Sequence, residues 1–437
     1  MQVSVEAKEG LERRITVAIP ADRIESEVQT RLQNMAPRVK VPGFRPGKVP
    51  FNVIKQRYGK EVRQEVEGQV MMSSFYEAVA QENLRPAGQP RFEGLPQPSA
   101  EGVEFSATFE IYPEIEVNGV DKVAVERPKV DISEADVDKM IDNLRRQRVE
   151  WKEVDKAAEK GDRVILDYYA TVGGEDFQGN QGEDLAVELG ANRMIDGFED
   201  KLEGVKAGEE REMDLTFPED YPSEEVKGKQ AHFKINVKRV EAGEYPELDD
   251  EFAKSYGVAE GGMEKLRADI RENMARELER NVREKLKQQV MDGLVEENPI
   301  DLPQALVEEE SRRLAEQMKS QMGFQGAGGG QDLPAELFTE QARRRVALGL
   351  ILSEIVKQND LQASEDQVRE RVEEIASAYE QPQEVVQYYM NDRNRRSELE
   401  SLVLEDQVVD WVLERAQVTD TIKSFDEVMN SQGAQGA

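Results

Sequence analysis

GDRVILDYYATVGGEDFQGN, residues 161–180, couples a β-branched and aromatic run to a glycine-rich turn. The run VILDYYATV (164–172) is the first of four strand-like segments. DLAVELG (184–190), REMDLTF (211–217) and AHFKINVKRV (231–240) follow, each bounded by turn residues. One patch, MIDGFEDKLEGV (194–205), interrupts them with helical spacing. Residues 151–245 therefore read as a compact β-rich module with one short helix.

On the N-terminal side, residues 1–115 mix both periodicities. LERRITVAI (11–19) and GVEFSATFEIYPEIEV (102–117) read as strands. Ile24, Val28, Leu32 and Met35 carry one helix; Val62, Val66, Val70 and Phe75 carry a longer one, to about Asn83. Residues 116–150 form a connector and a polar linker helix striped by Val137, Ile141 and Leu144.

From 246 to 437 the pattern is helical. Leu266, Ile270, Met274, Leu278, Val282, Leu286, Val290 and Leu294 recur every fourth residue. At about 100° per residue such a stripe drifts around the helix, which suits a long arm touching different partners along its length. Further helices are expected at about 304–321, 334–358, 364–380 and 395–416, with a capping box at Ser364 and Gln367. GFQGAGGG (323–330) reads as a flexible linker and NSQGAQGA at the end as disordered.

Composition bounds the chemistry. The 437 residues include no Cys and one His, so disulfides, thiolate nucleophiles and Cys- or multi-His-ligated metals are excluded. No calcium-loop spacing occurs among the acidic runs, and neither metal nor cofactor is expected. MQVSVEAKEG lacks the pattern of a secretory signal, and the longest apolar run, Val346 to Leu352, is far short of a bilayer span of about 20 residues. A soluble cytoplasmic protein without membrane contact is the expectation. His232 alternates with Phe233 on a strand, so the two face opposite ways and His232 has no expected catalytic role.

The formal charge is −32, yet no acid stands between Glu27 and Glu61. That window holds Arg31, Arg38, Lys40, Arg45, Lys48, Lys55, Arg57 and Lys60. A small basic element on an acidic body can touch polyphosphate at one place and be repelled elsewhere. At its centre is VPGFRPGKVP (41–50). Walker A spacing fails here, because three residues separate the glycines and Val49 follows the Lys. Pro and Gly on both sides hold Phe44 out between Arg45 and Lys48, an aromatic with two cations suited to structured RNA and its bound proteins.

GFRPGKVP resembles the ribosome-binding signature of the bacterial trigger factor family, matched at Gly43, Phe44, Arg45, Gly47, Lys48 and Pro50, with Pro46 where a Lys is common. Residues 161–180, 193–210, 215–225 and 231–240 resemble an FKBP-type prolyl isomerase. The resemblance implies a multidomain α+β protein. Its parts would be an α/β ribosome-binding domain (1–115), a linker helix (116–150), an FKBP-like β-sheet domain (151–245) and an elongated all-α chaperone domain with arms (246–437). It places a prolyl pocket at Tyr168, Phe177, Ile195, Phe198, Tyr221 and Phe233, with the Ile195 N–H receiving the substrate carbonyl. Phe198 stands where other FKBPs carry Trp, and Gln178 where they carry Asp.

The implied function is ATP-independent shielding of unfolded nascent polypeptides at the large ribosomal subunit near the tunnel exit, on ribosomal protein and rRNA, with cis–trans isomerisation of X–Pro bonds. A homodimer is implied when free. Two other readings stay open at this level: a dedicated isomerase without ribosome docking, and an acidic helical scaffold with an inactive FKBP-like module. The methionines of the C-terminal region, Met274, Met291, Met318, Met322, Met390 and Met429, serve as packing fillers or as an adaptable client surface.

Overall fold

The computed structural model describes residues 2–39, 41–42, 44, 49–99, 102–321, 333–377, 379 and 381–430. The expected linker 323–330 and the tail beyond residue 430 lie outside the described residues. In chain order the elements are β1 (Gln2–Ala7), β2 (Glu12–Pro20), α1 (Ala21–Met35), α2 (Phe51–Gln81), β3 (Pro86–Ser99), β4 (Gly102–Ile111), β5 (Ala124–Lys129) and α3 (Glu134–Gln147). Next come β6 (Glu150–Val154), β7 (Arg163–Val172), β8 (Gln181–Glu188), β9 (Glu210–Thr216), β10 (Gln230–Glu244), α4 (Asp250–Ser255) and α5 (Gly262–Glu297). The last are α6 (Gln304–Gln321), α7 (Thr339–Gln358), α8 (Glu365–Ala376), α9 (Pro382–Met390), α10 (Arg393–Leu413), β11 (Gln417–Ile422) and α11 (Phe425–Asn430). The fold is mixed α+β, and the chain divides into two compact units: residues 1–128 with 283–421, and 129–282 with 422–437.

In the first unit an antiparallel sheet of order β1-β2-β4-β3 packs against α1 and α2. Alternation on β2 sends Ile15, Val17 and Ile19 inward to meet Ile24, Val28 and Leu32 of α1 and Phe75 of α2. The two helices thus lead into and out of the segment around Phe44. Their polar sides are tied by Arg23–Glu77 at 2.7 Å and by Arg31–Glu65 and Arg63–Glu25. The same unit holds the antiparallel helices α6 and α7, the cluster of α8, α9 and α10 around Val368, Val372, Leu399 and Val403, and the β5–β11 pair.

The second unit contains a five-stranded sheet in which β10 pairs with β6, β7 and β9, and β7 with β8. One side of it is apolar: Ala231, Phe233, Ile235 and Val237 of β10 are buried in alternation. A second cluster in this unit joins Val137 and Ile141 of α3 to Phe252, Leu266, Ile270, Met274 and Phe425.

Several elements differ from the periodicity reading. The expected helix at 194–205 shrinks to one 3₁₀ turn, Asp200–Leu202, because Gly197 and Gly204 adopt φ of +80° and +82° and interrupt it on both sides. The strand expected over 102–117 ends at Ile111. β1, β3, β5, β6, β11, α4, α9 and α11 are additional elements; most are too short to show a period, and in the 14-residue β3 prolines and glycines obscure one. α5 carries the winding stripe as a single helix. Its Leu266, Ile270 and Met274 bury in the cluster with α3, and further along Leu286, Val290 and Leu294 are buried in turn. At Gly293 an added Cβ would stand 2.6 Å from the Val123 side chain, so only glycine allows the helix that close an approach.

Candidate active site

The apolar side of the β6–β10 sheet and the loops that lie over it enclose a cavity of about 160 Å³. Each of the six residues expected there lines it: Tyr168 from β7, Phe177 from the turn after it, Ile195 and Phe198 from the segment before the 3₁₀ turn, Tyr221 from the loop after β9, and Phe233 from β10. The rings meet edge to face and tilted. Phe198 and Phe233 lie 5.6 Å apart at 84°, and Tyr168 and Phe233 6.4 Å apart at 43°. Phe198 is fully buried and forms the floor, while Phe177, Ile195 and Tyr221 are half-buried at the rim.

Phe217 was not among the expected residues, yet it is the hub of the wall. Its ring is 4.7 Å from Tyr221, 5.9 Å from Phe177 and 6.2 Å from Phe233. The signal was present: Met213, Leu215 and Phe217 alternate inward on β9 and its exit. Met194, Gln178, Gly179, Ser223 and Val226 complete the lining. The Tyr168 hydroxyl donates to the Gly179 carbonyl at 3.1 Å, so it is satisfied within the turn rather than by the side chain of Gln178.

A cavity of this size is below the roughly 300 Å³ at which drug-sized pockets begin, and it suits one small apolar ring. A larger hollow of about 850 Å³ lies on the outer face of the same sheet. Of its charged residues, Asp167 pairs with Lys238 at 2.8 Å and Lys234 with Glu212 at 3.2 Å, and its lining is polar and open where that of the aromatic cavity is apolar. His232 sits on that outer face, with Nδ1 2.8 Å from the Asp214 carboxylate, away from the cavity.

The segment framing Ile195 is shaped by Glu199, whose carboxylate is 7 % exposed. It accepts backbone hydrogen bonds from Gly190, Asn192, Arg193 and Met194. Burial opposes ionisation of this carboxyl, but the four donors overcome it and hold it below its ordinary value.

At the second expected site, Phe44 is 40 % exposed. Gly43, Arg45, Gly47 and Lys48 lie outside the described residues. On the flanks, Arg38, Lys55, Arg57 and Lys60 are exposed and make no ion pair among the described residues, whereas Arg31 is paired with Glu65. Among the described residues no cluster of His, Asp and Glu fits a metal ion, and no helix is long and apolar enough to cross a membrane.

A β-sheet domain with an aromatic-walled cavity, set in a chain of helical and α+β parts, defines a protein-folding factor with a prolyl-isomerase module. Comparison with known proteins agrees along the chain. Residues 1–144 match the model of bacterial trigger factor protein, 262–414 that of the bacterial trigger factor C-terminus, and 154–238 that of FKBP-type peptidyl-prolyl cis-trans isomerase. Trigger factor from Thioalkalivibrio sulfidiphilus is 50 % identical over 430 residues, 98 % of each chain. Trigger factor from Pseudoalteromonas atlantica is 48 % identical over 435 residues, 99 % of this chain and 100 % of the relative. A solved trigger factor chaperone, described for promiscuous substrate recognition in folding and assembly, shares the fold with a TM-score of 0.52 at 19 % identity, covering 95 % of this chain and 99 % of that one. The chain belongs to the trigger factor family: it is a ribosome-associated chaperone with an FKBP-type peptidyl-prolyl cis-trans isomerase domain.

Proposed function

We propose that the cavity bounded by Tyr168, Phe177, Ile195, Phe198, Tyr221 and Phe233 is where X–Pro bonds are turned. The observation that carries this is the convergence of six aromatic rings, Phe217 included, on a space fit for one prolyl ring. Rotation about a peptide bond faces about 18–20 kcal/mol because resonance stiffens C–N. The X–Pro bond is nearly balanced between isomers, so only the barrier needs lowering. An apolar wall disfavours the planar, strongly dipolar amide relative to the twisted one, and a fixed N–H can meet the carbonyl as it turns. Ile195 suits that role: it lines the cavity, and its N–H has no partner among the described residues. No nucleophile, metal or general base is called for.

The loop Gly43, Phe44, Arg45, Gly47 and Lys48 docks on the large ribosomal subunit near the tunnel exit, on ribosomal protein and rRNA. The exposure of Phe44 and the cations Arg38, Lys55, Arg57 and Lys60, which make no ion pair among the described residues, support this reading, because such cations attract phosphate and the acidic remainder repels it. Functionally the chain is read as a docking domain (1–115), a linker (116–150), an isomerase domain (151–245) and a helical body (246–437) that shields nascent chains in the cytoplasm without ATP. Free molecules pair as homodimers.

Cosedimentation with ribosomes at two salt concentrations, together with isomerisation of a proline peptide, tests both halves. Phe44→Ala, Arg45→Ala, Lys48→Ala in one chain is expected to abolish salt-sensitive binding and leave isomerisation intact. Phe177→Ala is expected to cut isomerisation at least about tenfold and leave binding intact. A wild type that does not cosediment returns the chain to a stand-alone isomerase; an inactive wild type removes the cavity reading.

A further inference from the structure

We propose that Glu199 is a positioning residue for the isomerase: it gathers the backbone N–H groups of the segment before Ile195 and leaves the Ile195 N–H, beside the cavity, free for a substrate carbonyl. This rests on the cavity reading above.

The geometry accounts for each N–H in turn. One carboxylate oxygen of Glu199 accepts from Gly190 and Asn192, both at 2.9 Å, and the other from Arg193 at 2.8 Å and Met194 at 3.2 Å. Ala191 donates to the Glu188 carbonyl at 3.4 Å. Between Gly190 and Ile195, only the Ile195 N–H is without a partner among the described residues. Beyond it, the Asp196 and Gly197 N–H groups also have no partner among the described residues, but neither residue lines the cavity, and Phe198 donates back to the Ile195 carbonyl at 3.0 Å, which closes the turn carrying Ile195.

The backbone is built for this. Gly190 and Asn192 take left-handed conformations, φ of +86° and +51°, that turn nearby N–H groups toward a common point. Such a concavity prefers an anion, and the buried carboxylate fills it. Glu199 makes no ion pair with a cationic side chain among the described residues, so its charge is balanced by backbone donors alone. Without the carboxylate, four inward-facing N–H groups would be left unsatisfied, and the segment would rotate to find other acceptors. Ile195 and Met194, both lining the cavity, would move with it. A displacement on the order of 1 Å at a catalytic donor is costly in rate.

The test uses the full-length chain. In Glu199→Gln one oxygen becomes an NH₂ that cannot accept, so two of the four N–H groups lose their partner. Isomerisation of a proline peptide is expected to lose about tenfold to a hundredfold in kcat/KM, mainly in kcat, since the apolar wall that binds the ring is retained. Amide hydrogen exchange read by NMR is expected to show Gly190, Asn192, Arg193 and Met194 protected and Ile195 open in the wild type. In the variant, protection should be lost at those four and kept on β7 and β10. A wild type in which Ile195 is as protected as its neighbours overturns the proposal, and this measurement does not depend on the variant folding. A variant that loses the protection but keeps kcat/KM within about twofold overturns it as well. An active wild type with an unaffected Glu199→Gln removes this proposal alone, whereas an inactive wild type removes the cavity reading beneath it.

Discussion

Ser74 stands on the inner face of α2, wholly buried, with a hydroxyl that finds no hydrogen-bond partner among the described residues. A buried donor left unmatched costs about 1–3 kcal/mol, and replacing it by a methyl group removes that cost. Ser74→Ala is therefore expected to raise stability by about 1 kcal/mol, read as a higher urea midpoint at unchanged slope; a lower midpoint refutes the reading. The same scale governs how the cavity can be probed. Phe198 is 1 % exposed, and truncating it to Ala costs about 3–5 kcal/mol, which would confound lost activity with lost folding. Phe177 at the rim is the cleaner probe. What could be read from single residues was the set of wall aromatics, because they sit in recognisable motifs. Phe217 escaped because alternation marks an inward residue without telling whether it faces filled core or open cavity.

At the scale of elements, α8 begins as its sequence prescribes. Ser364 Oγ accepts from the Gln367 N–H at 3.3 Å, and the Gln367 side chain accepts from the Ser364 N–H at 3.1 Å. Ser364→Ala is expected to cost about 1 kcal/mol, with faster amide exchange in the first turn of α8 and none elsewhere; unchanged exchange there speaks against the cap. Glu110 shows the opposite case, a cap that no local pattern announces. From β4 its two oxygens accept from the Gln304 and Ala305 N–H groups, at 3.0 and 2.8 Å, where α6 begins. The period-four stripe of α5 was legible, since its drift around the helix follows from 3.6 residues per turn. The patch at 194–205 misled because its apolar residues sit at helical spacing while glycines at both flanks turn the backbone aside.

For the molecule as a whole, acid is the informative stress. Glu241 is opposed by burial yet held below its ordinary value by Arg239 and Arg163, and Glu199 is held low by its backbone donors. Folded values below unfolded ones mean that the stabilisation is complete above the ordinary value of 4.5 and is lost as pH falls through the depressed ones. The unit of residues 129–282 is therefore expected to melt at progressively lower temperature as pH drops below about 4.5. Trp151, stacked 4.6 Å from the Arg163 guanidinium that pairs with Glu241, reports this by fluorescence in a Trp411→Phe background. A melting temperature flat from neutral pH into that range contradicts the assignment. By itself the sequence determined the order of modules, the absence of thiol and multi-histidine chemistry, the basic window around Phe44 and the identity of half of the cavity residues. These follow from composition, motif and short-range periodicity, which local sterics and burial translate directly. Only the tertiary structure decided that residues 283–421 share a compact unit with 1–128, that β11 pairs with β5, and that Glu199 takes four backbone N–H groups of the segment before Ile195. Such pairings join groups brought together by the path of the chain, where the energy lies in satisfying particular donors and acceptors, and that choice leaves no period in the sequence.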